Sequence, residues 1–192
     1  MSANETASHY HVPVFFATSE GQTRRIAEHL AEVFQQHGFL SRAIDMASPE
    51  AEAVDWTRVR GALVGASLHM QRHQPQARAF VERHAAELNA IPSAFFSVSL
   101  SAASANPEEV TAAKDLAAAF PQAHGWRPAI VASLGGRLAY TRYNFLTRLL
   151  MKRIARKEGA PTDTSRDYEM TDWGRVDGLA QEVEARIRNG VV

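Results

Sequence analysis

Short apolar runs alternate with stretches of helical periodicity along most of this chain. Val12–Ala17 is the first run, and Ile26, Leu30, Val33 and Phe34 then recur at helical spacing up to a stop at Gly38. Phe39–Asp45 and Val59–Ala66 predict a second and a third strand. A helix follows the third, with Ala77, Phe80, Val81, His84 and Leu88 on one face. Ser93–Leu100 predicts the fourth strand, and its helix carries Val110, Ala113, Leu116, Ala117 and Phe120. Pro128–Leu134 is the fifth strand. Thr171 or Asp172 caps a last helix whose Val176, Leu179, Ala180, Val183 and Ile187 face a core. Continuous apolar strands alternating with helices predict a parallel sheet covered on both faces, an α/β doubly wound domain of strand order 2-1-3-4-5. In that order a ligand crevice lies at the carboxyl ends of strands 1, 3 and 4. The loops there are Thr18–Thr23, Ala66–His73 and Ser99–Pro107.

One region exceeds this plan. About 35 residues, Gly135 to Met170, separate the fifth strand from the last helix, where ~2–6 would connect them. Within this insertion (135–170) Phe145, Leu146, Leu149, Leu150 and Ile154 lie at helical spacing among Arg137, Arg142, Arg148, Lys152, Arg153, Arg156 and Lys157. No acidic residue falls between Arg137 and Lys157. The pattern has two readings. A basic amphipathic helix suits an anionic membrane surface or an acidic ligand. An added helix can equally pack its apolar side on the domain and leave a solvated basic face. Leu149, Leu150 and Met151 widen the apolar side beyond a narrow stripe, which favours partial exposure to lipid or a partner.

The turn Thr18-Ser19-Glu20-Gly21-Gln22-Thr23 joins the first strand to its helix. Helix-initial amides lack intrahelical partners and carry partial positive charge, so a phosphate seated here receives N–H bonds plus the hydroxyls of Thr18, Ser19 and Thr23. With one glycine the turn is neither a dinucleotide fingerprint nor a Walker loop, and it suits a single phosphate monoester. The alternative is an ordinary N-capped helix after a strand.

Composition narrows the chemistry. The 192 residues fit one domain, expected over 10–190 with a flexible tail at 1–9. Lys+Arg and Asp+Glu both number 21, so net charge points to no partner. There is no cysteine, which excludes disulfides, thiol nucleophiles and Cys-ligated metals, and leaves redox chemistry to a bound cofactor. No metal-ligand spacing and no nucleic-acid patch is evident. With a polar start and no long apolar stretch, the chain is expected in the cytoplasm or peripherally on the inner face of the cell membrane.

Several segments together resemble the flavodoxin-like, menaquinone-dependent protoporphyrinogen oxidases of bacteria. They are Thr18–Ala27, Val64–His69, Ile91–Leu100, and the insertion's Leu138–Tyr143, Met151-Lys152 and Gly159–Arg166 running to Tyr168–Trp173. The resemblance spans about Val12 to Ile187, and its long insertion before Thr171-Asp172-Trp173 is the specific part. It implies a flavodoxin-like fold holding FMN non-covalently. Thr18, Ser19, Glu20, Gly21, Gln22 and Thr23 would hold the phosphate. Ala66, Ser67, Leu68, His69, Ser99, Leu100, Ser101 and Ala102 would border the ring. It also implies oxidation of protoporphyrinogen IX in haem biosynthesis, in three two-electron rounds, with electrons passed to menaquinone or ubiquinone.

Two segments depart from the family pattern. Met70-Gln71 stands where relatives carry Tyr-Gly, and Ser101–Glu109 is neutral and then acidic where they are basic. Charge for a substrate with two propionates would then come from Arg72, Arg137, Arg142 or the insertion helix. Tyr140 and Tyr143 either cover the ligand or pack the insertion onto the domain. His69 and His73 are candidates for proton handling, each equally readable as a surface loop histidine. Two other functions fit the same residues: an FMN-dependent reductase of quinones or other small molecules, and a flavodoxin-like electron carrier or membrane-surface binding module.

Overall fold

The apolar runs form a parallel sheet with helices on both faces. The computed structural model describes residues 11–142, 144–157, 159 and 161–190, with only the backbone at residues 142, 147 and 157. The tail at 1–9 and Tyr143 lie outside the described residues. In chain order the main elements are β1 (Val14–Ala17), α1 (Gln22–Gln36), β2 (Ala43–Asp45), α2 (Pro49–Glu52), β3 (Ala62–His69), β4 (Arg72–His73) and α3 (Pro75–Asn89). They continue with β5 (Ser93–Ser99), α4 (Pro107–Ala123), β6 (Ile130–Gly135), β7 (Arg137–Leu138), α5 (Phe145–Lys157), β8 (Tyr168–Glu169) and α6 (Trp173–Asn189). The parallel strands run β2-β1-β3-β5-β6, which is the expected five-strand order once the short β4 is set aside.

Alternation along each strand divides the core in two. Val14 and Phe16 of β1, with Ala94, Phe96 and Val98 of β5, pack under α1 and α6 against Ile26, Leu30, Phe34, Leu179 and Val183. Phe15, Val64 and Phe95 face α3 and α4, where Phe80, Val81, Leu88, Ala117 and Phe120 meet Trp126. Each fully buried large side chain contributes roughly 1.5–3 kcal/mol relative to exposure, so both layers hold the strand ends in place.

The segment after the third strand is a hairpin, not the loop Ala66–His73 expected from sequence. β3 runs on to His69, turns at Met70-Gln71, and returns as β4, with Leu68 opposite His73 and His69 opposite Arg72. Apolar content ends at Leu68, but the polar residues pair with one another beyond the body of the sheet. Met70 and Gln71 have φ of 48° and 61°. A two-residue hairpin turn whose twist matches its strands requires positive φ at both positions, and neither residue is a glycine.

The insertion builds its own layer. β7 and β8 pair antiparallel, and Leu138, Tyr140 and Ala155 bury one another with Leu100, Met151, Tyr168 and Met170 packed around them. Arg137 pairs with Asp167 at 2.6 Å, and Asp167 also accepts from the Thr141 amide at 2.9 Å. The Thr141 N–H and hydroxyl, with the Arg137 guanidinium, hold the Asp167 carboxyl below its usual range. The apolar side of the insertion helix packs on the domain only in part. Phe145, Leu146, Leu149 and Leu150 of α5 are 77, 75, 59 and 57% exposed, and Ala155 and Met151 face inward instead. Apolar and basic residues therefore share the outer face, the apolar ones in the first turns and the cations in the last.

Candidate cofactor site

The turn after β1 is built as an anion cradle. Gly21 precedes α1 with φ 91°, a conformation that favours glycine, and no side chain caps the helix. The hydroxyl-capped helix held open by the sequence is thus not formed. The Gly21 N–H donates to Thr18 Oγ1 at 2.9 Å, which closes the turn and leaves the first amides of α1 without a side-chain cap. Thr23 is 1% exposed, and its hydroxyl has no partner within the protein. A buried, unpartnered hydroxyl at an uncapped helix start with no acid in its first turn matches a bound phosphate.

Distant segments brace this turn. Gln22 Nε2 donates to Thr171 Oγ1 at 2.9 Å and to Glu169 Oε1 at 3.1 Å, and the Thr171 hydroxyl donates to the Gly135 carbonyl at 2.7 Å. A Cβ on Gly135 would collide with the Met170 carbonyl, so the end of β6 and the return of the insertion meet only through a glycine. Gln74 donates to the hydroxyls of Ser19 and Ser67, linking the cradle to the hairpin.

From the cradle a cavity of about 500 Å³ runs between the hairpin, the turn after β5, and the facing sides of α4 and α5. Of the residues expected at the cofactor, Thr18, Glu20, Gln22, Thr23, Ser67, Leu68, His69, Ser99, Leu100 and Ser101 line it. Ser19 and Gly21 belong to the turn behind it. Ala66 is fully buried beneath, and Ala102 holds the β5 turn by donating its N–H to Ser99 Oγ at 3.1 Å. Met70 and Gln71, in the loop expected at the crevice, line it too, and sequence reasoning missed an apolar wall, in which Ala112, Ala113 and Leu116 of α4 face Leu150, Met151 and Ile154 of α5. The helical period marked Ala113 and Leu116 as inward, but only the docking of α5 brings the two helices together.

The two histidines have different surroundings. His69 is exposed on the cavity wall. His73 is not a surface residue. Its Nε2 lies 2.9 Å from Ser97 Oγ, and its ring meets Phe95 and Phe120 at centroid distances of 5.3 and 4.6 Å. Burial, with His124 nearby, lowers its pKa to about 4, so it is neutral near pH 7 and lies outside the cavity lining. Tyr140 is fully buried, with its hydroxyl donating to the Pro161 carbonyl at 2.9 Å, and packs the insertion instead of covering the cavity. Arg72 lies on the hairpin away from the lining. Arg137 lines the cavity and is paired with Asp167, while Glu20 and Glu109 add acidic groups to the wall. Lys152, Arg153 and Arg156 flank an outer groove of α5 with Leu146, Leu149 and Leu150. Among the described residues no group of histidines and carboxylates has the arrangement of a metal site, and no helix is long and apolar enough to cross a membrane.

A doubly wound sheet of this order, with an uncapped hydroxyl turn after its first strand, defines a flavodoxin-type mononucleotide-binding protein. The chain belongs to the flavodoxin domain family, which it matches over residues 13–165, and within it to the protoporphyrinogen IX dehydrogenases. It is 34% identical over 171 residues to protoporphyrinogen IX dehydrogenase (quinone) of Escherichia coli strain K12, covering 88% of this chain and 92% of that protein. It is 29% identical over 174 residues to the protein of the same name from Leishmania major, covering 90% and 74%. In fold it is similar to oxidised Flavodoxin 1 of Bacillus cereus, with TM-score 0.54 at 17% identity over 91% of this chain and 97% of that one. A flavodoxin from the domain Archaea gives TM-score 0.54 at 13% identity, over 93% and 99%. The site fits FMN: the cradle suits its single phosphate, and the cavity bordered by Ser67–Gln71 and Ser99–Ser101 is of the size and apolar character that suit a flat ring.

Proposed function

We propose that this protein is an FMN-dependent protoporphyrinogen IX dehydrogenase that delivers electrons to a membrane quinone. The observation that carries the reading is one continuous cavity lined both by the phosphate cradle and by the basic insertion. Bound FMN would supply the redox chemistry, a two-electron exchange in which the substrate loses two hydrogens and a quinone gains two to become a quinol.

The chain supplies position and charge. Thr18, Thr23 and the first amides of α1 hold the phosphate. The Ser67–Leu68 and Ser99–Ser101 segments border the ring. His69, exposed on the wall, is placed to exchange a proton with the substrate or solvent. The substrate's propionates rest outside the cavity, because its one lining guanidinium among the described residues, Arg137, already serves Asp167. Arg72 of the hairpin and Lys152, Arg153 and Arg156 of α5 take that role. The outer face of α5, with Phe145, Leu146 and Leu149 beside Lys152, Arg153 and Arg156, rests on an anionic membrane surface.

A second reading is an FMN-dependent quinone reductase that does not act on porphyrins, and Glu20 and Glu109 on the wall favour it. The FMN-loaded protein, given protoporphyrinogen and menaquinone without oxygen, separates the two. Turnover of both, faster with anionic liposomes, supports the dehydrogenase. Reduction of quinone by another donor with protoporphyrinogen untouched supports the second reading. A protein that cannot be loaded with FMN overturns both.

A further inference from the structure

α5 has two working sides, and Leu150 belongs to both. It lines the cavity with Met151 and Ile154, yet it is 57% exposed and also lines the outer groove with Leu146, Leu149 and the cations. Opposite it on α4, Ala112 lines the same cavity and is likewise exposed. A residue that both lines a cavity and meets solvent marks an opening. By the same test His69, Met70 and Gln71 mark an opening at the hairpin tip, and the seam between α4 and α5 is a second opening, which the methyl group at Ala112 leaves unblocked. Its rim is apolar: Ala112 and Leu116 on one side, Leu150 and Ile154 one helical turn apart on the other.

We propose that this seam is a lateral doorway through which an isoprenoid quinone reaches the cavity directly from the lipid phase. The inference rests on the reading that a membrane quinone accepts the electrons. Charge and shape select the occupant. Lys152, Arg153 and Arg156 attract anionic headgroups to the last turns of α5, while Phe145, Leu146 and Leu149 enter the acyl boundary. An interfacial helix sinks about 5–10 Å, which brings Leu150 and the seam to the level where isoprenoid chains lie. The quinone head then crosses an apolar rim into the cavity and its tail stays in lipid, so neither has to be transferred through water.

The test follows reoxidation of the chemically reduced, FMN-loaded protein on anionic vesicles by two acceptors. One is a tail-less naphthoquinone in solution, and the other an isoprenoid naphthoquinone in the vesicles. Ala112→Trp and Leu150→Trp each narrow the seam. The expected result is a shift of about tenfold in the ratio of the two rates, against the isoprenoid quinone, with vesicle cosedimentation retained. A second readout does not depend on turnover. Since the chain has no cysteine, Leu150→Cys carries a single environment-sensitive fluorophore, and vesicle-borne isoprenoid quinone should quench it. Equal loss with both quinones, or an unshifted ratio together with an unquenched label, overturns the doorway alone. Failure of the unaltered protein to reduce either quinone overturns the quinone reading and the doorway with it.

Discussion

Gln22 and Thr171, 149 positions apart, are joined by a hydrogen bond of 2.9 Å from Gln22 Nε2 to the Thr171 hydroxyl. Gln22 is the first residue of α1 in the phosphate cradle, and Thr171 stands where the insertion returns to the domain. The bond makes the cradle and the insertion one mechanical unit, because the Thr171 hydroxyl in turn donates to the Gly135 carbonyl.

Thr171→Val keeps the shape of that link and removes both hydrogen bonds. It leaves the buried Gln22 amide short of an acceptor and the Gly135 carbonyl without this donor, at a cost of about 1–3 kcal/mol. Urea unfolding should show that loss, and an FMN titration should show weaker binding, because the cradle loses its brace.

Thr23→Val should separate stability from binding. The Thr23 hydroxyl is buried without a protein partner, so the FMN-free protein should be as stable as before or slightly more so. FMN affinity should fall by about tenfold or more, the worth of a hydrogen bond to a charged group. Unchanged affinity with an unchanged flavin spectrum would place the phosphate elsewhere.

His73 makes stability depend on pH. Burial, and then His124, hold its folded pKa at about 4, against 6.5 unperturbed. Between these values the unfolded chain binds a proton that the folded chain refuses. Stability is therefore full above about 6.5, falls as pH drops towards about 4, and changes no further from this group below that. The linkage is at most about 3 kcal/mol. Burial lowers the His84 pKa in the same direction. Urea midpoints at pH 7.5 and 5 should differ less in His73→Gln than in the unaltered protein.

The outer face of α5 separates charge from insertion. Replacing Lys152, Arg153, Arg156 and Lys157 with Gln should weaken binding to anionic liposomes most at low salt, by about 1 kcal/mol for each cation near the surface. Phe145→Ser with Leu149→Ser should weaken it with little dependence on salt. Cosedimentation unchanged in both variants would show that the face is merely solvated.

Much of this architecture was legible in the chain itself. Val12–Ala17 is apolar throughout, and Ser93–Leu100 interrupts its apolar residues only with small serines, as strands buried on both faces do, and the strand order followed. The cradle was legible because a hydroxyl-rich turn with one glycine depends on local backbone geometry. The hairpin was not. Ser67, His69, Arg72 and His73 carry no strand pattern, and their pairing becomes visible only when β4 folds back on β3. His73 looked like a loop residue for the same reason, since Phe95 and Phe120 reach it from two other elements.

The sequence by itself determined the class of fold, the hydroxyl-rich turn after its first strand as the candidate phosphate site, and the presence of a basic helical insertion. These depend on periodicity, turn chemistry and charge, which are read within one stretch of chain. The tertiary structure decided which way the insertion faces. Helical spacing groups Phe145, Leu146, Leu149 and Leu150 on one side but says nothing of what lies opposite. Only the packing of Leu138, Tyr140 and Ala155 turns that side outward and sets Leu150 at an opening of the cavity.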